Sequence, residues 1–275
     1  MLFGMSQLRK IGRCIYCLTS EPPLKREHVI PHGLIPAGHP DSWVLHAASC
    51  PKCEKITSAF EGHILGAVWP TARSGLGLRT RRENILTHPL LVEVNGTFIE
   101  VVVPAKAYPA VIMFPEFRPP AHQDGRQYES GIEVIAQTNV QVAGPPIAEV
   151  AKRYGAQRVR FVATFRGHSF IRLIAKVAYG MMVADFGLDN WEEVYVLPSI
   201  MGKSDDSGRW VGCDGKRKLS SLPLPLHGIG REVVNGEVIT RVCLFAQFGA
   251  PEYVVVVGRL KPNAQPGQFP MPRNR

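Results

Sequence analysis

Apolar and polar positions change their period twice along the chain, and these changes divide it into an N-terminal segment, a connector and a larger body. Ile56, Ala59, Phe60, His63, Ile64 and Ala67 recur at steps of three and four, which predicts a helix with one apolar stripe. Pro70 ends it. Upstream lie a polar turn at Ser20–Pro23, a short strand-like stretch Glu27–Ile30, and a loop enforced by Pro31, Gly33, Pro36, Gly38 and Pro40. From residue 90 the period becomes two. VEVNGTFIEVVV reads as a β-hairpin, with Asn95 and Gly96 suited to the positive φ angles of a type I′ turn. A Pro-rich stretch, Pro104–Pro120, interrupts this pattern, and Gly131–Ala143 resumes it.

Two helices are predicted near Pro145–Tyr154 and His168–Phe186, with a strand Arg158–Phe165 between them. Further strands are expected at Glu193–Leu197, Arg241–Phe248 and Tyr253–Leu260. The organisation is therefore an N-terminal unit over residues 1–70, a basic connector over 71–89, and an α+β domain over 90–261. Residues 262–275, rich in Pro, Asn and Gln, read as a disordered tail.

Charge adds a direction to this outline. The chain carries a formal net charge of +9, and residues 1–82 hold eleven Lys and Arg against five acids. Such a polycation favours anionic partners, nucleic acid foremost. Charge alone leaves open that these residues form a solvated face. No window has the ~18 apolar residues of a membrane span, and MLFGMSQLRK lacks the order of a signal peptide. A cytoplasmic protein with no membrane partner is expected, with its oligomeric state open.

Cysteine spacing names the first chemistry. Cys14 and Cys17 form one C-x-x-C pair and Cys50 and Cys53 a second, with 32 residues between the pairs. Each pair can place two thiolates on one side of a tight turn, and two such turns complete a tetrahedral sulfur shell with no open position. That is a structural zinc site, able to supply on the order of 10 kcal/mol to a segment whose own core is small. Cys213 and Cys243 read as ordinary buried thiols.

The segment between the pairs carries Lys25-Arg26-Glu27-His28-Val29-Ile30-Pro31, and Glu54 directly follows the second pair. CIYC, REHVIPHGL and ASCPKCEKITSAFEG, in that order, resemble the HNH endonuclease pattern of C-x-x-C, an acid-His-x-x-Pro element and C-x-x-C-Asn/His. The resemblance covers roughly residues 12–66. It implies a ββα-metal, treble-clef-like unit that cleaves DNA phosphodiesters with a divalent ion.

Carried over by position, His28 is the general base that activates water. Glu27 and Glu54 are the ligands of one catalytic Mg²⁺ or Mn²⁺, and Arg26, Lys52 and Lys55 are candidates for neutralising DNA phosphates. The sequence departs from the family twice. Glu54 stands where Asn or His is usual, and the middle Asn that orients the histidine loop has no clear counterpart. A zinc-dependent nucleic-acid-binding protein of HNH descent, impaired in catalysis, is the alternative.

In the larger body no catalytic motif is spelled out. Arg172 and Lys176, one turn apart on the 168–186 helix, read as solvated cations on a core helix in preference to a phosphate-binding face.

Overall fold

The structure, a computed structural model, describes residues 10–38, 43–80, 87–128, 130–161, 165–214 and 225–265. The chain is mixed α+β. Strands β1 (Lys25–His28) and β2 (Val44–Ser49) precede helix α1 (Pro51–His63), a π-helical stretch over Ile64–Val68, and α2 (Pro70–Gly75). Then come β3 (Thr87–Val94), β4 (Thr97–Pro104), β5 (Ala110–Phe117), α3 (Ala121–Asp124), β6 (Val134–Ala143), α4 (Ile147–Arg153) and β7 (Arg158–Arg160). The long helix α5 (Gly167–Phe186) is followed by β8 (Trp191–Val194), α6 (Leu197–Ile200), α7 (Ser207–Trp210) and β9 (Val211–Cys213). Strands β10 (His227–Val234), β11 (Glu237–Leu244) and β12 (Tyr253–Leu260) end the described order.

Among the described residues the named strands all pair antiparallel, and one isolated parallel bridge joins Lys10 to His46. β1 pairs β2, placing His28 opposite Val44 and Glu27 opposite Leu45. The hairpin β3–β4 turns at Asn95 and Gly96, φ 50° and 78°, as the sequence pattern predicts. β7 joins β3, β5 pairs β6, and β10-β11-β12-β8 forms the largest sheet, with β9 also on β12.

Helix α5 organises the molecule because it is apolar nearly all round. Sixteen of its residues are buried, so it is a core helix. One continuous hydrophobic core includes Cys14, Ile15, Val29 and Phe60 from the N-terminal segment, the buried face of α5, and Val255–Val257 of β12. A smaller cluster of Leu90, Val92, Val103, Tyr108 and Val150 lies under β3, β4 and α4. No helix among the described residues is long and apolar enough to cross a membrane.

Several sequence expectations shift: the Pro-rich stretch at 104–120 contains strand β5, and the strands expected at Glu193–Leu197 and Arg241–Phe248 lie at Trp191–Val194 and Glu237–Leu244. The buried stripe of α1 and its continuation is Cys53, Thr57, Phe60, Ile64 and Val68, while Ala59 is exposed and Ile56 only half-buried. The stripe rotates because Cys53 turns inward beside the other cysteines. Pro70 occupies the first turn of α2, where its missing N–H leaves no helical bond unmade. The strand expected at 158–165 is described only as Arg158–Arg160, and residues 162–164 lie outside the described residues. Residues 81–86 of the connector and 266–275 of the tail also lie outside them.

Candidate functional site

The four predicted zinc ligands come together. The sulfurs of Cys14, Cys17, Cys50 and Cys53 all lie within 4.8 Å of one another. A tetrahedral zinc shell with bonds of ~2.3 Å needs sulfurs about 3.8 Å apart, so the cluster fits that ion. Cys17 and Cys50, at 3.6 Å, are far beyond disulfide length, and all the cysteines are free. The cluster could hold a metal such as zinc.

Local backbone chemistry builds both halves of this site. The first turn closes by Leu18 N–H donating to the Cys14 carbonyl at 2.8 Å, with Leu18 at φ 63°. It is docked on β2 by Ile15 N–H donating to the Ala48 carbonyl at 2.8 Å. The second half is the start of α1, where Cys50 is the N-cap residue and Pro51 follows it. Helix N-termini favour thiolate over thiol. Burial opposes ionisation of Cys50, but donation from Cys53 N–H and from neighbouring thiols outweighs it and brings this thiol down to about 7. Burial, joined by the other sulfurs, pushes Cys53 strongly up. Four crowded thiols cannot all ionise without a cation between them.

Beside this cluster, β1 carries Glu27 and His28 to the surface of α5. Glu27 is buried, and its Oε1 lies 2.8 Å from the ammonium of Lys176. Glu61, two turns along α1 from Glu54, meets the same ammonium at 2.8 Å. Lys176 is 1% exposed. Its Nζ also donates to the His28 carbonyl and, at 3.4 Å, to that of Val29. Burial alone would favour a neutral amine, yet Glu27 and Glu61 together hold its pKa above the usual lysine value. Burial pushes Glu61 up, against the pull of Lys176. Burial and the Glu27 charge drive Tyr16 well up.

His28 itself is partly buried at the end of β1. Its ring stands edge-on to that of His32, with centroids 5.0 Å apart. Arg79 donates to His32 Nε2 at 2.7 Å, which fixes that nitrogen as the acceptor. Arg73 spends its guanidinium on the carbonyls of Gly33, at 2.9 Å, Leu65, at 3.2 Å, and Arg79. A side chain at Gly33 would meet Arg73 Nη2 at 2.9 Å, so glycine is what permits this approach. Two arginines of the expected connector thus pin the loop after β1, while Arg81 and Arg82 lie outside the described residues.

The remaining sequence-predicted residues are distributed around this centre. Glu54 is only half-buried, and its Oε2 lies 2.5 Å from the Lys25 ammonium. Lys52, Lys55 and Arg26 are exposed. Glu27 and Glu54 are therefore held by two different lysines. Among the described residues, the four cysteines form the only group of three or more His, Cys, Asp and Glu side chains placed to hold a metal. The carboxylates as they stand do not fit a divalent ion.

Sequence reasoning did not place Lys176, Glu61 or Tyr16 at this centre. Lys176 is neither solvated nor a phosphate-binding residue, which revises the reading of the α5 cations. Its signal was a lone lysine inside FIRLIAKVAYGMMVADF, a run with too little polar surface to leave an ammonium in water. Comparison with protein-family models, curated proteins and solved structures finds no significant match.

Proposed function

We propose that the chain is an HNH-type endonuclease that hydrolyses DNA phosphodiester bonds, with structural zinc on Cys14, Cys17, Cys50 and Cys53 and His28 as the general base. One observation carries the reading: the two cysteine pairs meet at the head of α1, and the β1–β2 hairpin between them ends its first strand on Glu27-His28. That order resembles a ββα-metal, treble-clef-like unit, and it leaves His28 half-buried at a strand end.

In the reaction His28 takes a proton from water while the oxygen forms a bond to phosphorus, the bond to the leaving 3′ oxygen breaks, and that oxygen takes a proton from solvent to leave as the 3′-hydroxyl. Arg26, Lys52 and Lys55 supply cations for the flanking phosphates. The test is a supercoiled plasmid incubated with zinc-loaded protein and Mg²⁺ or Mn²⁺. Nicking is expected, and His28→Ala should abolish it with zinc content unchanged. Plasmid left intact in every divalent metal, with DNA binding retained, would sink the nuclease reading.

A second reading has its own support. The lysine partners of Glu27 and Glu54 favour an HNH-descended module that binds nucleic acid in a zinc-dependent way without cutting it. Binding that weakens steeply with salt, unaccompanied by cleavage, is its signature.

A further inference from the structure

We infer that Lys176 is a positioning residue of the His28 site: its ammonium fixes the His28 main chain and fills the place between Glu27 and Glu61 that a divalent cation would need. The first half rests on the nuclease reading; the second stands without it.

An ammonium has three N–H donors. Here the ammonium donates to the His28 carbonyl, with the Val29 carbonyl at 3.4 Å as a further acceptor, and it stands 2.8 Å from both Glu27 Oε1 and Glu61 Oε1 as their ion-pair partner. The lysine is 1% exposed, so it touches no DNA and acts only through these partners. Two ionised carboxylates brought together in a buried site need a cation between them. In this chain the cation is covalently part of α5. A metal ion at Glu27 Oε1 would have to displace an ammonium that is 1% exposed.

The contact with the His28 carbonyl gives the lysine its positioning role. A strand end is held from one side by its ladder partner, here Val44. Lys176 holds it from the other side, at the peptide linking His28 to Val29, and so sets where the imidazole projects. Neighbouring α5 residues brace the same place. Gly180, one turn on, lies against Val29, and Tyr179 donates to the Ile15 carbonyl at 2.6 Å. The ring of a general base gains from such bracing, because misplacement by about 1 Å can cost on the order of a hundredfold in rate.

Two measurements on the full, zinc-loaded chain test the inference. Mn²⁺ titration followed by electron paramagnetic resonance is expected to show the same binding in wild type and Glu61→Gln. A wild-type Mn²⁺ site lost in Glu61→Gln would overturn the assignment of the cation place to Lys176. Lys176→Met combined with Glu61→Gln removes one charge of each sign and so keeps the pocket's net charge, which guards against misfolding. This double variant is expected to keep its zinc and its KM while kcat falls about tenfold or more, and Val29 amide exchange quickens. Lys176→Arg/Glu61→Gln is expected to recover part of kcat. Unchanged kcat and unchanged Val29 exchange would overturn the positioning role. If wild type cuts no DNA, the nuclease reading fails, and the Mn²⁺ and exchange data still decide for or against Lys176.

Discussion

The Tyr179 hydroxyl donates to the Ile15 carbonyl at 2.6 Å, inside the turn that carries Cys14 and Cys17. Residue 15 sits between two candidate zinc ligands, and residue 179 is in the middle of the longest helix. The bond is buried, so neither group has water as an alternative partner. Tyr179→Phe keeps the ring and its 6.2 Å contact with Tyr16 but orphans the Ile15 carbonyl. A loss of about 1–3 kcal/mol is expected, read as a lower urea midpoint with an unchanged slope. A midpoint equal to wild type would show that the first cysteine turn needs no support from α5.

Metal removal should reach further than the N-terminal segment. Cys14, Cys50 and Cys53 belong to the same hydrophobic cluster as α5 and β12. One zinc per chain is expected by native mass spectrometry. Cys53→Ser should lose it and lower the melting temperature of α5 and the β12 sheet in a single transition, because the cysteines share one hydrophobic cluster with both. Two resolved transitions, with the later one insensitive to chelator, would show that α5 and the sheet hold without the cluster.

The fold was legible where the determinants are local. The C-x-x-C spacing, the Asn95-Gly96 turn and the 3.6-residue period of α5 each act within a few residues, and each appears as predicted. What sequence could not supply are the partners of charges. Lys176 and Arg172 are one turn apart and look alike in the sequence. Yet Lys176 is clamped between Glu27 and Glu61, while Arg172 lies over the Phe60 ring at 4.8 Å and donates to the Ile200 carbonyl. Those pairings depend on how α5 crosses α1, a long-range packing result with no local signature. Arg73 and Arg79 were legible as cations and illegible as braces of the His32 loop for the same reason.

Acid should weaken the chain through His227. Its Nε2 donates to the Leu34 carbonyl at 3.0 Å and its Nδ1 accepts from Phe245 N–H at 3.2 Å, so both nitrogens are committed with the ring neutral. Burial holds this histidine down to about 4. The unfolded ring titrates near 6.5. Between those values the unfolded chain binds a proton that the folded chain refuses, so stability present above about 6.5 is lost as pH falls toward about 4. Glu61 and Asp185, both raised by burial, act with the opposite sign as pH falls. The His227 share is therefore read from a comparison with His227→Gln. The wild-type unfolding free energy should fall more steeply with acid by up to about 1.4 kcal/mol per pH unit. Parallel slopes would refute the assignment.

Gly180 separates a packing requirement from a conformational one. It lies within α5, where glycine is about 1 kcal/mol worse than alanine. A Cβ built there would stand 3.4 Å from Val29 Cγ2 and 3.7 Å from Val29 Cα. That is ordinary contact, so Gly180→Ala should gain helix propensity at little steric expense and change stability by less than about 1 kcal/mol, in the stabilising direction. Gly180→Leu has no such room. It must push β1 off the helix at Val29, next to the carbonyls that Lys176 holds, and a loss of about 1–3 kcal/mol is expected. Under the nuclease reading the leucine variant also loses cleavage while Gly180→Ala retains it, because only the larger side chain moves the His28 peptide. Equal stability and equal nicking by both variants would mean that the distance between α5 and β1 does not matter to the site.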